Sequence, residues 1–451
     1  MHRMPSLGTY TRRTLLAGAV GAAGAALFWP SSRRAERVPR GRVELRYWEK
    51  WTGIEGLALQ RVVDRYNQSQ ERAWVRLVPV GDIGSKAMVA IGGGDPPDVV
   101  GLYSYHVPGY AEARAVMPLE QFAHLGAIDE TAYLPGVRAA LRHEGRLWAG
   151  VNTCYSLALY ANKAHLRVVD HDPNVPPKDV AALDDLVGRL TRLEKDGRIE
   201  RAGLLQNVPG WWNYFWPCMF GGSLFDEANQ RITIASPENI ACFAWLRESA
   251  QKFGVGATTA FASGYGRSIH TAQDPFISGA QSMIVQGPWL ANFIRTMRPD
   301  LEYTAYPVPT VSGDSGEPTG LLEADVLMIP RGCPHPEEAY RFVLFMQRQD
   351  VQEELALAHA KPSPLLAVSP AFELNHPNKA IKAFEAVARS PRVMVLPRTA
   401  AWKKYADLIN AAFDRVWAGA DPTKELNIVQ TRGQTLIDTA AARRAVRGSA
   451  T

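Results

Sequence analysis

The sequence predicts an α/β protein with a largely parallel sheet, and three observations carry that expectation. Short apolar stretches alternate with amphipathic helical stretches along most of the chain, the order a parallel sheet with crossover helices requires. Two strand–helix–strand units follow each other between Val43 and Leu102, which makes one doubly wound lobe. Glycine and proline clusters separate the elements, as at Gly92-Gly93-Gly94-Asp95-Pro96-Pro97, where glycine frees the backbone and proline cannot continue a helix.

In chain order, Val43–Trp48 alternates like a half-buried first strand. Leu57–Tyr66 has helical spacing, with Leu57, Val62 and Val63 expected inward and Arg61, Asp64 and Arg65 toward water. Trp74–Val80 reads as a second strand, Lys86–Ile91 as a helix and Asp98–Leu102 as a buried strand. Leu157–Lys163 opens a second region. There Leu183–Leu193 and Pro237–Phe253 read as helices, and Asn207–Gly222 is rich in Trp and Gly. Met283–Val285, Thr304–Val308 and Ala324–Pro330 read as later strands. Pro336–Gln347 reads as a helix whose Glu337 and Glu338 suit its positive end. Trp48, Trp148, Trp245 and Trp417 fall inside these elements and are assigned to the core.

The 451 residues suffice for two domains. With 46% hydrophobic and 21% charged residues, neither a disordered chain nor a multispanning membrane protein fits. Thr11-Arg12-Arg13-Thr14-Leu15-Leu16 opens an apolar run, Ala17 to Phe28, too short to span a bilayer comfortably. It has the form of a twin-arginine export signal over residues 1–30, followed by a basic linker over 31–42. No cysteine follows the run, so lipid anchoring is not expected, and the periplasm is the expected compartment. Residues 1–30 hold three arginines and no Asp, Glu or Lys, so the net charge of +5 becomes +5 − 3 = +2 without them. A nearly neutral protein gives no case for nucleic acid. Cys154, Cys218, Cys242 and Cys333 have no CxxC spacing, so no metal site is expected and buried thiols are.

Enzyme signatures are thin. Gly221-Gly222-Ser223-Leu224-Phe225 lacks the last glycine of a nucleophile elbow. No phosphate-binding or dinucleotide glycine loop occurs, and no H-E-x-x-H. Two carboxylates suffice for a glycosidase, so Glu49 with Glu323 or Asp325 is the pair that an enzymatic alternative would use. No catalytic residue, metal or cofactor is expected.

In Phe276–Trp289, a helical turn ends near Ser278-Gly279, Met283-Ile284-Val285 is a short strand, and Gly287-Pro288 breaks it. Trp289 is thereby placed at the strand's carboxyl end, where open α/β sheets bind ligands. This segment resembles the "F-x-x-G-x-x-A-M … G-x-W" element of the extracellular solute-binding proteins of ABC importers, family 1, the maltose-binding-protein-like group. Other stretches resemble the same family in the same order: Arg46–Thr52, Gly92–Val100, Leu147–Val151 with Leu159–Lys163, Trp211–Gly222, Gly320–Pro330, Glu337–Phe342 and Leu396–Trp402. Asp179–Leu186 departs, lacking the family's Trp.

The resemblance implies two α/β lobes built from discontinuous segments, with a ligand cleft between them. The expected division is 43–152 with 276–322 for lobe 1, and 153–275 with 323–445 for lobe 2. Crossings are expected near Val151–Leu157, Leu321–Val326 and Arg348–Ala356. It further implies a monomer that captures a carbohydrate by hinge closure and delivers it to permease subunits of an ABC importer. A di- or oligosaccharide is the first expectation; a polyol or glycerol phosphodiester is the alternative, kept open by Arg398 and His106 because Arg matches phosphate geometry. Sugars present C–H faces that stack on aromatic rings and hydroxyls that need donors and acceptors. The rings at strand ends or loops are Trp51, Tyr105, Tyr155, Trp211, Trp212, Trp289 and Trp402, and Glu49, His106, Glu323, Asp325 and Arg398 lie near them in sequence. By resemblance, Trp289 stacks on a sugar ring, Tyr105 and His106 lie on a ligand-contacting loop, Tyr155 at the first crossing, and Trp402 in a loop facing the cleft.

Overall fold

A computed structural model describes residues 38–266, 268–313 and 317–448. The expected export signal and the linker before Val38 lie outside the described residues. In the first lobe, β1 (Val43–Glu49), α1 (Gly53–Ser69), β2 (Ala73–Pro79), α2 (Ile83–Gly92) and β3 (Val99–Tyr103) form the doubly wound unit that the alternation predicts. Strand β1 pairs in parallel with β2 on one side and β3 on the other. On α1, Leu59, Val62, Val63 and Tyr66 are buried at helical spacing. Each fully buried aliphatic side chain of this kind contributes about 1.5–3 kcal/mol. Leu57, expected inward, is 59% exposed. It lies two residues before Leu59, about 200° around the helix, and so points away from the sheet.

The chain crosses to the second lobe within β4 (Gly150–Ser156): Cys154 packs in the first core and Tyr155 in the second. There β5 (Ala158–Asn162) is the centre of a three-stranded antiparallel sheet, flanked by β6 (Met283–Gln286) and β7 (Tyr303–Tyr306). This sheet is antiparallel where simple alternation predicts parallel pairing. Helices α3 (Val180–Leu190) and α4 (Pro237–Lys252) share a core with Leu159 and Met283 of this sheet, and α5 (Leu290–Met297) follows β6. Strand β8 (Gly320–Met328) runs back into the first lobe. Its first residues pair with β9 (Val393–Val395), its last with β3, and its other edge with β4. Leu321 belongs to the second core and Leu322 to the first.

The lobe boundaries therefore differ from the expected ones. Residues 276–321, expected in lobe 1, pair with β5 and pack in the second lobe, while 323–365, expected in lobe 2, build the first. Periodicity marks a strand but not the strand it pairs with. The third crossing also lies later than expected. Helices α6 (Pro336–Met346) and α7 (Gln349–Ala358) stay in the first lobe, α7 packing on α1 and β4, and Leu365 is still in the first core. Then α8 (Ile381–Arg389), α9 (Trp402–Trp417) and α10 (Pro422–Gly448) follow. Ile381, Phe384 and the buried faces of α9 and α10 join the second lobe. Trp245 and Trp417 are buried, and Trp48 and Trp148 pack half-buried on the first core. All four cysteines are buried thiols.

Candidate functional site

Between the lobes lies a chamber of about 430 Å³, within the range of small-ligand sites. Its floor comes from the two crossing strands. Glu323 and Asp325 are two residues apart on β8 and so share one face. Each faces its register partner on β4: Tyr155 Oη donates to Glu323 Oε2 at 2.5 Å, and Thr153 Oγ1 donates to Asp325 Oδ2 at 2.7 Å.

The two carboxyls have opposite surroundings. Asp325 receives Lys50 Nζ at 3.0 Å and Lys361 Nζ at 3.1 Å. Burial pushes this carboxyl up, but Lys361 and Lys50 outweigh burial and hold it well below the usual carboxylate range. Glu323 has no lysine. Burial, with the Asp325 charge nearby, pushes it up to about 8 against the Tyr155 hydrogen bond, so it is a neutral acid at pH 7. Its Oε1 has no hydrogen-bond partner among the described residues, and the side chain lines the chamber.

The first-lobe wall rises from the end of β1. Lys50 Nζ sits 4.6 Å from the ring centroids of both Trp51 and Tyr103. Lys361 Nζ lies 4.8 Å from Trp51, 5.8 Å from Trp289 and 5.9 Å from Tyr155. Two buried ammonium groups are thus covered by aromatic faces as well as by carboxylate. Beneath this wall, Glu49 accepts from Tyr47 Oη, Asn152 Nδ2 and the Lys50 backbone N–H, and pairs with Lys50 Nζ. It fits because residue 101 is glycine: a Cβ there would sit 1.8 Å from Glu49 Oε2. Tyr103 and Tyr105 complete this side, their rings stacked at 5.5 Å.

The second-lobe wall is a set of rings. Trp289 caps the start of α5, and its indole N–H donates to His270 Nε2 at 3.1 Å. His270 stacks on Phe293 at 4.3 Å, and burial pushes it down to about 4, so it is the neutral acceptor that this bond requires. Buried Asp274 accepts the His270 backbone N–H and holds that loop in place. Trp211 and Trp212 lie edge to face at 5.4 Å, Trp212 meets Trp289 at 6.0 Å, and Tyr214 closes the far end. Trp211 is 44% exposed, a large ring left open toward the cleft.

Of the twelve expected residues, eight line this chamber: Trp51, Tyr105, Tyr155, Trp211, Trp212, Trp289, Glu323 and Asp325. Four do not. Glu49 lies beneath the wall. His106 lines an adjoining cavity, and Arg398 pairs with Glu227 and lines another on the far side of the crossing. Trp402, expected in a cleft-facing loop, is 3% exposed on the first turn of α9, packed edge-on against Tyr214 at 5.1 Å. Helical winding turns its side chain into the second core instead. Sequence reasoning missed Glu55, Tyr103, Tyr214, His270, Phe293 and Lys361 in the lining, and Lys50, which holds Asp325. Lys50 and Tyr214 stand beside residues that were singled out; nothing local marks Lys361.

Two lobes joined by crossing strands around a ligand-sized chamber define a substrate-binding protein of the periplasmic-binding-protein fold. The sequence profile of the bacterial extracellular solute-binding proteins matches residues 50–353, more than half of the chain, and the chain belongs to that family. Solved structures with the same fold include CpMnBP1 with mannotriose bound, at a TM-score of 0.76 and 25% identity over 87% of this chain and 100% of that one. The GacH receptor of Streptomyces glaucescens, solved unliganded and with acarbose, gives 0.72 at 21% identity over 88% and 99%. UgpB from Mycobacterium tuberculosis, in complex with glycerophosphocholine, gives 0.71 at 20% identity over 88% and 98%. Among the described residues, no helix is long and apolar enough to cross a membrane, and no metal-binding group of side chains occurs.

Proposed function

We propose that this protein is the sugar-capturing component of an ABC importer. It binds a di- or oligosaccharide in the aromatic chamber, closes over it and passes it to the permease subunits. The supporting observation is the pairing of chamber-lining rings, Trp211, Trp212 and Trp289, with the unsatisfied acid of Glu323 on the floor. Rings take the apolar faces of a pyranose, and the acid takes a hydroxyl. The Arg12-Arg13 segment routes the protein to the periplasm as a monomer.

A glycerol phosphodiester with a quaternary ammonium end ranks second, because Lys361 already holds a cation against Trp51, Tyr155 and Trp289. Catalysis is not proposed. Glu49 is engaged on both oxygens away from the chamber, and Asp325 is fixed by two lysines, so neither of the carboxylates expected to work with Glu323 or Glu49 as an acid–base pair is free to do so. A thermal-shift screen against neutral saccharides, polyols and glycerophosphodiesters tests the reading. Ligand at a hundredfold excess over Kd stabilises the folded state by about 2.7 kcal/mol. A screen in which only the phosphodiesters raise Tm would replace the sugar reading. Release of shorter saccharides, followed by chromatography, would establish an enzyme.

A further inference from the structure

The aromatic chamber is not the end of the cleft. Tyr103 and Tyr105 are a shared wall, and beyond them lies a second compartment of about 770 Å³ with different chemistry. We propose that this compartment takes an anionic group, a carboxylate or a phosphate, carried at one end of the sugar whose rings stack in the aromatic chamber. The inference rests on the carbohydrate reading above and adds a charge to the ligand.

The charges lining the compartment decide its sign. From the first lobe come Lys50 and Asp82; from the second, Lys403 and Lys404. Lys50 is neutralised by Glu49 and Asp325, and so contributes little net charge beyond the junction. Asp82 is engaged locally, accepting from Ser85 Oγ at 3.1 Å. Lys403 has only Asp407 at 3.8 Å, and Lys404 makes no ion pair among the described residues. One acid therefore faces two ammonium groups with little or no competing partner.

The backbone adds to this. The first turns of α2 and α9 both border the space, through Gly84 and Ser85 on one side and Lys403 and Lys404 on the other. Helix starts present unpaired N–H groups and a positive dipole end. Gly84 lies against the His106 ring, and a Cβ there would come within 2.5 Å of it. Burial, with Lys50 and Lys403 nearby and only Asp82 opposing, pushes His106 down to about 4. At neutral pH it borders the compartment as an uncharged ring, leaving the lysines as the charged contacts.

The two compartments thus divide the labour. In the aromatic chamber the lysines are bound to Asp325 and covered by rings, so a ligand charge there gains nothing. Past Tyr103 and Tyr105 the lysines stand free on the wall of the second lobe, opposite the start of α2. Closure would bring a charge held at the far end of a sugar chain between them.

The test is isothermal titration of the full chain with three matched probes: the tightest-binding neutral trisaccharide, beginning with mannotriose, the same trisaccharide oxidised to a terminal uronate, and its terminal phosphate. The same titrations follow on Lys403→Gln/Lys404→Gln, two exposed positions whose change leaves both cores intact. One or both charged probes should bind about tenfold tighter than the neutral parent at low salt. The advantage should shrink as salt rises and vanish in the double variant, with neutral binding unchanged. Whether uronate, phosphate or both show it identifies the source of the charge. Equal affinity for all three probes, or a charged-probe advantage that survives the double variant, would overturn the inference while leaving sugar binding intact. If none of the saccharides binds, the carbohydrate reading itself falls, and this inference with it.

Discussion

The two lobes meet the same chamber with opposite materials. The first contributes charge held rigid by other charge: Lys50 and Lys361 converge on Asp325, with Glu49 anchoring Lys50 from below. The second contributes rings held by rings: Trp289 on His270, His270 on Phe293, Trp211 on Trp212. The first is an internal scaffold with few groups left to offer a ligand. The second leaves faces open. The difference teaches that the first lobe fixes its part of the site by buried ion pairs, while the second fixes its part by ring-on-ring packing and leaves the Trp211 ring exposed.

Four changes break or sharpen that contrast. The largest effect should come from Trp402→Ala, which removes a ring buried behind Tyr214 and should cost about 3–5 kcal/mol of stability in a denaturant melt. Sugar affinity, corrected for the folded fraction, should barely move; a large affinity loss at unchanged Tm would return Trp402 to the cleft. Next is Lys361→Met. It leaves Asp325 with one cation in place of two, and losing a partner from a buried ion pair costs about 3 kcal/mol. Adding Asp325→Asn should recover part of the loss in a double-mutant cycle. If the two changes were simply additive, the scaffold view of the first lobe would be wrong.

Trp289→Ala should do the reverse of Trp402→Ala. Its ring lines the chamber, so calorimetry should show a loss of about 2 kcal/mol in binding, roughly thirtyfold in Kd. The fall in Tm should be the smaller effect. The last change is one of pH. Glu323 has its folded-state pKa raised to about 8, so the native state holds a proton that the unfolded chain releases above its ordinary range near 4.5. The stability that this proton contributes is fully present below about 4.5 and is lost as pH rises through about 8. Glu323→Gln keeps the neutral form and should flatten that alkaline decline. An identical pH profile in wild type and variant would show that Glu323 is already ionised.

What the sequence revealed follows the same division. Trp211, Trp212 and Trp289 announce themselves because large rings next to glycine and proline have few other uses. The strand carrying Asp325 was legible from its apolar pattern as Ala324–Pro330, whereas the strand carrying Tyr155 was expected only as a crossing, by resemblance. The scaffold was not. Lys361 reaches Asp325 from a loop after α7 and meets Lys50 across more than three hundred residues, and no local pattern encodes such a meeting. The exchange of 276–321 and 323–365 between lobes has the same cause, since pairing partners are chosen by the whole fold. Trp402 failed for the opposite reason. A ring at the first position of a helix reads like a loop ring until the winding of that helix is known.

Strand β8 passes unbroken from one lobe into the other, paired with β9 at its start and β3 at its end, with Glu323 and Asp325 near its middle. A rotation between the lobes must run through that strand as torsion, and atoms on an axis travel least. The two carboxyls would keep almost the same position in open and closed forms, while Trp211 and Trp289 swing on the longer radius of the second lobe. A ligand would then meet a stationary floor first and moving rings second. Most of the distance dependence of closure would fall on the stacking contacts, and almost none on the hydrogen bonds to Glu323.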